Sequence, residues 1–166
     1  RDSANVTISN SGTISGPEEQ ISLSDESGGM CMMMPGSCDS TTGVVITNSG
    51  TIDSTGNIGG SNGAIKIAGA TITSITNTGN INGTGNSIYI RDSGSGTDGT
   101  IATLTNTGTM EGTIKADNDG FVTTLINDQG KENSNPLAWD TNIPTNTQIK
   151  INSVSDFGQL AVSNVN

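Results

Sequence analysis

The stretch ISNSGTI, Ile8 to Ile14, decides the fold because it keeps returning. It comes back as Ile46-Thr47-Asn48-Ser49-Gly50-Thr51-Ile52, as Ile75-Thr76-Asn77-Thr78-Gly79-Asn80-Ile81, and as Leu104-Thr105-Asn106-Thr107-Gly108-Thr109-Met110. A worn fifth copy is Leu125-Ile126-Asn127-Asp128-Gln129-Gly130, and successive asparagines are 38, 29, 29 and 21 residues apart. A unit repeated at this scale sets the architecture before any local reading does.

A second unit lies between these copies. Ile21-Ser22-Leu23, Ile65-Lys66-Ile67, Ile88-Tyr89-Ile90, Ile114-Lys115-Ala116 and Ile149-Lys150-Ile151 each alternate apolar and other residues. That period of two, carried by β-branched side chains, predicts a strand with one buried face. Asn10 to Ile21 and Asn77 to Ile88 are both 11 residues, Ile65 to Asn77 is 12, and Ile114 to Asn127 is 13. Each period therefore holds at least two strands joined by polar turns. No segment carries a sustained 3.6-residue apolar stripe, and Gly, Asn, Thr and Ser recur too often for helices.

Regularly spaced short strands also suit a sandwich or an up-and-down barrel. The solenoid is preferred because one residue type recurs at one place in every period, as stacking of like on like requires. With one period per coil, Asn10, Asn48, Asn77, Asn106 and Asn127 lie about 4.8 Å apart, close enough for a ladder of side-chain amide hydrogen bonds. The glycine two places later is expected to supply a left-handed or otherwise strained corner. The reading is an all-β chain, a parallel β-helix of about five or six coils with loop insertions at corners, on the order of 25 to 30 Å long.

Composition agrees with a thin core. Apolar residues make up 30% of the 166, charged residues 13%, and the net charge is -10. Nineteen isoleucines argue for order over disorder. A pI near 4.1 argues against nucleic acid and against anionic membrane surfaces. No stretch approaches the ~18 apolar residues of a membrane span. Arg1-Asp2-Ser3-Ala4 opens no signal peptide, so a mature segment or a fragment is expected.

The repeats resemble those of bacterial autotransporter passenger domains. They are most similar to the Asn/Thr/Gly-rich passengers of Helicobacter and Campylobacter, whether vacuolating-toxin-like or adhesin-like, and two-partner-secreted filamentous haemagglutinins carry similar text. The likeness runs from about Asn5 to Gly130. It implies a right-handed parallel β-helix displayed on the outer membrane or secreted, and continued in the full-length protein by further coils and a translocator barrel. It implies residues 1–132 as coils, with an insertion at 24–42, and 133–166 as a divergent last coil or cap, because Asn135-Pro136-Leu137-Ala138-Trp139 and Ile143-Pro144 break the pattern. The expected role is a rigid stalk presenting loops for adhesion to a host-cell surface or an extracellular protein or glycan. The alternative is a receptor-binding or assembly segment of a toxin-type passenger.

Enzymatic chemistry finds little material. With no His in the chain, the commonest general base and metal ligand is missing, and so is any Ser-His-Asp arrangement. Asp53, Asp92, Asp98, Asp117 and Asp119 are scattered among Gly- and Ser-rich turns, where Asp is a good turn residue. Asp117-Asn118-Asp119-Gly120 partly matches a calcium loop, but the twelfth position holds Asp128 in place of the bidentate Glu. Arg91 to Gly99 has a lone Gly-x-Gly and no following helix to receive phosphate. The expectation is a non-enzyme without cofactor or metal. Trp139, between prolines, is read as covering a coil end in preference to binding a sugar. Tyr89 is read as an outward, partner-facing residue.

All the cysteine and most of the methionine fall in one insertion. Ile21 to Asn48 spans 27 residues where a plain coil needs 12. Two close cysteines, Cys31 and Cys38, fit a disulfide in an oxidising compartment, closing a loop worth roughly 2.5 kcal/mol. Met30, Met32, Met33 and Met34 then form either a soft apolar contact patch or a patch folded back on the rod. Copper(I) would require the cysteines to be reduced.

Overall fold

The computed structural model describes residues 5–24, 42–56, 62–94, 96–117, 119–130 and 135–165. Among them there is no helix, and every named strand pair is parallel. The chain shuttles between two sheets. The first sheet holds β1 (Thr7–Asn10), β4 (Val44–Asn48), β7 (Thr71–Asn77), β9 (Thr100–Asn106), β11 (Phe121–Asn127) and β13 (Asn146–Ile149) in that spatial order. The second takes the strands in between: β2 (Thr13–Gly16), β3 (Ile21–Ser24), β5 (Thr51–Ser54), β6 (Gly63–Ala68), β8 (Asn80–Arg91), β10 (Thr109–Ala116), β12 (Leu137–Thr141) and β14 (Leu160–Ser163). β8 does the work of two strands, pairing with β5 from Asn80 to Gly83 and with β6 from Asn86 to Arg91.

Register turns the repeat into columns. In the first sheet Ile8, Ile46, Ile75, Leu104 and Leu125 stand one above another. Across the corner, Ile14, Ile52, Ile81 and Met110 form a second column. A third runs Ile21, Ile65, Ile88, Ile114 and Trp139. Nearly all of these side chains join one buried cluster. Each buried isoleucine or leucine contributes about 1.5–3 kcal/mol, so a few inward residues per period suffice. β-Branched residues favour this pleated surface because their stiff χ1 packs well against the neighbour above.

Three expectations are corrected here. Gly12, Gly50, Gly79 and Gly108 are not left-handed; among the described residues the left-handed glycines are Gly43, Gly69, Gly94, Gly96 and Gly112. At Gly50, Gly79 and Gly108 smallness serves close approach instead: a Cβ on Gly50 would lie 2.0 Å from the Gly12 carbonyl oxygen, and those on Gly79 and Gly108 would each lie 2.1 Å from the carbonyl oxygen of the preceding corner glycine, whereas one on Gly12 would meet nothing within 4 Å. Ile149-Lys150-Ile151 does not occupy the place of the other alternating triplets. Ile149 ends β13, opposite Asn127 in the first sheet, and Ile151 is 75% exposed. The triplet's place is taken by Leu137-Ala138-Trp139, in register with β10. Trp139 is therefore core and not an end cover; it is fully buried with Val162 of β14 stacked beyond it, and its Nε1 donates to the Asn142 carbonyl at 2.8 Å. Period-two patterning says that a strand has a buried face but not which sheet receives it.

Candidate functional site

The corner between the sheets is built from the repeated asparagines. Asn10 Nδ2 donates to Asn48 Oδ1 at 2.8 Å, Asn48 to Asn77 at 2.8 Å, Asn77 to Asn106 at 2.9 Å, and Asn106 to Asn127 at 3.3 Å. Each of the first three amides also reaches the carbonyl of its own corner glycine at 3.2 Å. Each touches a carbonyl of the following repeat as well: Thr51 at 3.0 Å, Asn80 at 2.9 Å and Thr109 at 3.1 Å. Asn48, Asn77, Asn106 and Asn127 are fully buried. A buried carboxamide is tolerated here because its donors and acceptors all find partners.

The ladder stops at a residue that the repeat pattern passes over. Gln129 stands two places after Asn127, where the earlier copies have glycine. It is buried, its Oε1 accepts from Asn106 Nδ2 at 2.9 Å and from the Met110 backbone N–H at 2.7 Å, and its Nε2 donates to the Met110 carbonyl at 3.0 Å. Asn127 then spends its own Nδ2 on the Gln129 and Gln159 carbonyls, with Ile149 as its register neighbour. The signal was present in the sequence as a departure from Gly, but a worn repeat gives no indication that the replacement points inward.

Tyr89 is not the open surface residue expected of it. By register it does face outward, in the column Ser22, Lys66, Tyr89, Lys115, Asp140, yet it is only 4% exposed. Lys115 lies over it, with Nζ 5.9 Å from the ring centroid, and a long Lys stem shields apolar surface while its head stays wet. The Tyr89 hydroxyl donates to Asp117 Oδ2 at 3.3 Å, which also pairs with Lys115 Nζ at 2.9 Å. That hydrogen bond with Asp117 holds the Lys115 ammonium above its ordinary 10.5, outweighing the opposing effect of burial. Lys66 pairs with Glu19 at 3.5 Å in the same outward surface.

The other candidates separate. Cys31, Cys38, Met30, Met32, Met33 and Met34 lie outside the described residues. The turn at Asp117 is closed by the Gly120 N–H on the Asp117 carbonyl at 2.9 Å. Among the described residues no three His, Cys, Asp or Glu side chains converge to hold a metal ion, and no helix is long and apolar enough to cross a membrane. Neutral carboxamides neither give nor take protons near neutral pH, so the ladder supplies shape and cohesion, not acid–base chemistry. Compared with protein families, curated proteins and solved structures, the chain matches none.

Proposed function

We propose that the two parallel sheets are faces of a right-handed parallel β-helix, and that this rod is a non-enzymatic stalk segment of an autotransporter passenger, surface-displayed or secreted. Its corner insertion at 24–42 is the part offered to a host-cell surface or an extracellular protein or glycan. The observation that carries the reading is the in-register asparagine ladder at the corner where the chain passes from one sheet to the other. A repeat that spends its buried polar residues on tying one period to the next makes a rigid rod. In such arrays stability is a sum over neighbours, and insertions at corners leave the stack intact.

The test compares the full chain with a variant in which residues 25–41 are replaced by a short Gly-Ser link. Both are measured for binding to cultured epithelial cells and to immobilised matrix proteins, with far-UV circular dichroism as the folding control. Binding by the full chain and its loss in the strand-rich shortened variant is the expected result. Equal binding by the two removes the insertion from the account, and turnover of polyuronate by the purified chain removes the stalk role.

A further inference from the structure

The outer face of the first sheet has a composition unlike the rest of this acidic protein. Strands β1, β4, β7, β9 and β11 contain no charged residue, in a chain of net charge -10. Between the inward columns most outward positions are hydroxyl-bearing, and register puts them in ranks. One rank runs Ser9, Thr47, Thr76, Thr105 without interruption across four strands. Two residues earlier on each strand, Ser74, Thr103 and Thr124 form a parallel rank. Where the ranks lack a hydroxyl, Val45 and Ile126 keep a β-branched methyl in its place.

Strand geometry fixes the spacing of this array. Neighbours within a rank are about 4.8 Å apart, and the two ranks are separated by about 6.5–7 Å, two residues of strand rise. Threonine χ1 is stiff, so each hydroxyl and each methyl repeats in a constant place. We propose that this face binds crystalline water, the surface of ice, whose oxygens repeat along one lattice axis at close to the inter-strand spacing. Absence of charge suits a neutral lattice and disfavours minerals, whose cations call for carboxylates. The two ranks also lack the aromatic rings on which a polysaccharide would stack; Phe121 stands at the start of β11, outside both.

Ice grown slowly from a solution of the full chain provides the test, with protein measured in the ice and in the remaining liquid, and ice recrystallisation followed in parallel. The expected result is enrichment in ice and slowed recrystallisation. The double variant Thr76→Lys/Thr105→Lys should lose both effects, and so should Thr76→Tyr, which keeps a strand-favouring side chain but projects above the ranks. Ser22→Lys, on the outward column of the other sheet, should retain them. Exclusion of the unmodified chain from ice overturns the proposal. So does retention of both effects by Thr76→Lys/Thr105→Lys and Thr76→Tyr when circular dichroism shows both folded. Exclusion from ice combined with capture on cellulose or chitin reassigns the face to polysaccharide. Exclusion combined with a dimer in sedimentation that Thr76→Tyr abolishes reassigns it to self-association.

Discussion

Gly12 and Gly79 hold the same place in the repeat, yet a methyl group added to each would meet different surroundings. On Gly79 it would sit 2.1 Å from the Gly50 carbonyl oxygen, whereas on Gly12 it would meet nothing within 4 Å. Gly79→Ala should therefore destabilise by at least the upper end of the ~1–3 kcal/mol typical of overpacking. Gly12→Ala should be neutral or raise stability by up to about 1 kcal/mol, through lost freedom of the unfolded chain. Urea midpoints of the two variants measure the difference. Asn77→Ala removes an amide that serves three acceptors and the carbonyl that receives Asn48 Nδ2. It should lower stability by about 2–4 kcal/mol, since an orphaned buried polar group costs ~1–3 kcal/mol. Asn10→Ala, at the end of the ladder, should lower it by less. The asparagine column could be read from spacing alone because identical residues recurred at one place in each repeat. The reason for the glycines could not: a tight φ and a close neighbour both select Gly, and only the stacked carbonyl distinguishes them.

Strands take their places here through their neighbours above and below as much as through their own pattern. Tyr89 illustrates this, since alternation marks it correctly as outward, while Lys115, whose ammonium lies over its ring, comes from β10. Residues distant in sequence thus decide its exposure, which no local pattern records. The same grouping gives a pH dependence. Lys115 has its folded-state pKa raised above 10.5, chiefly by Asp117, so its contribution to stability is complete below that value and is lost as pH rises through the folded-state pKa. Denaturant midpoints should therefore fall on the alkaline side of 10.5 by more in the unmodified chain than in Lys115→Met. An equal fall in both would remove the Lys115–Asp117 contact from the stability of the second sheet. Trp139 shows the opposite case, a residue whose flanking prolines suggest an irregular end but whose register with Ile114 makes it the next step of an existing column.

Across the described residues, cohesion comes from periods stacked on one another, with most of the buried isoleucines and leucines in columns and the repeated asparagine amides in a chain of hydrogen bonds. Parallel all-β organisation was legible from the repeat, but for residues 133–166 the sequence left a divergent last coil and a cap both open and did not mark β12, β13 and β14 as the strands that continue the two sheets, because residues after Gly130 keep the register without keeping the repeated words. In the β-helix proposed above, opening starts from the ends. Backbone amides of β7 and β9 should accordingly exchange more slowly with deuterium than those of β1, β13 and β14. The most direct measurement of the central claim is hydrogen exchange of the asparagine side-chain amides, resolved by nuclear magnetic resonance on the labelled full chain. Asn48 and Asn77, buried in the ladder, are predicted to show Nδ2 protons protected as strongly as the strand backbones around them, while the exposed Asn5 and Asn80 exchange at the rate of a free amide. Exchange of all four at the free rate, in a chain that remains folded, would contradict the ladder and the stacked-coil account built on it.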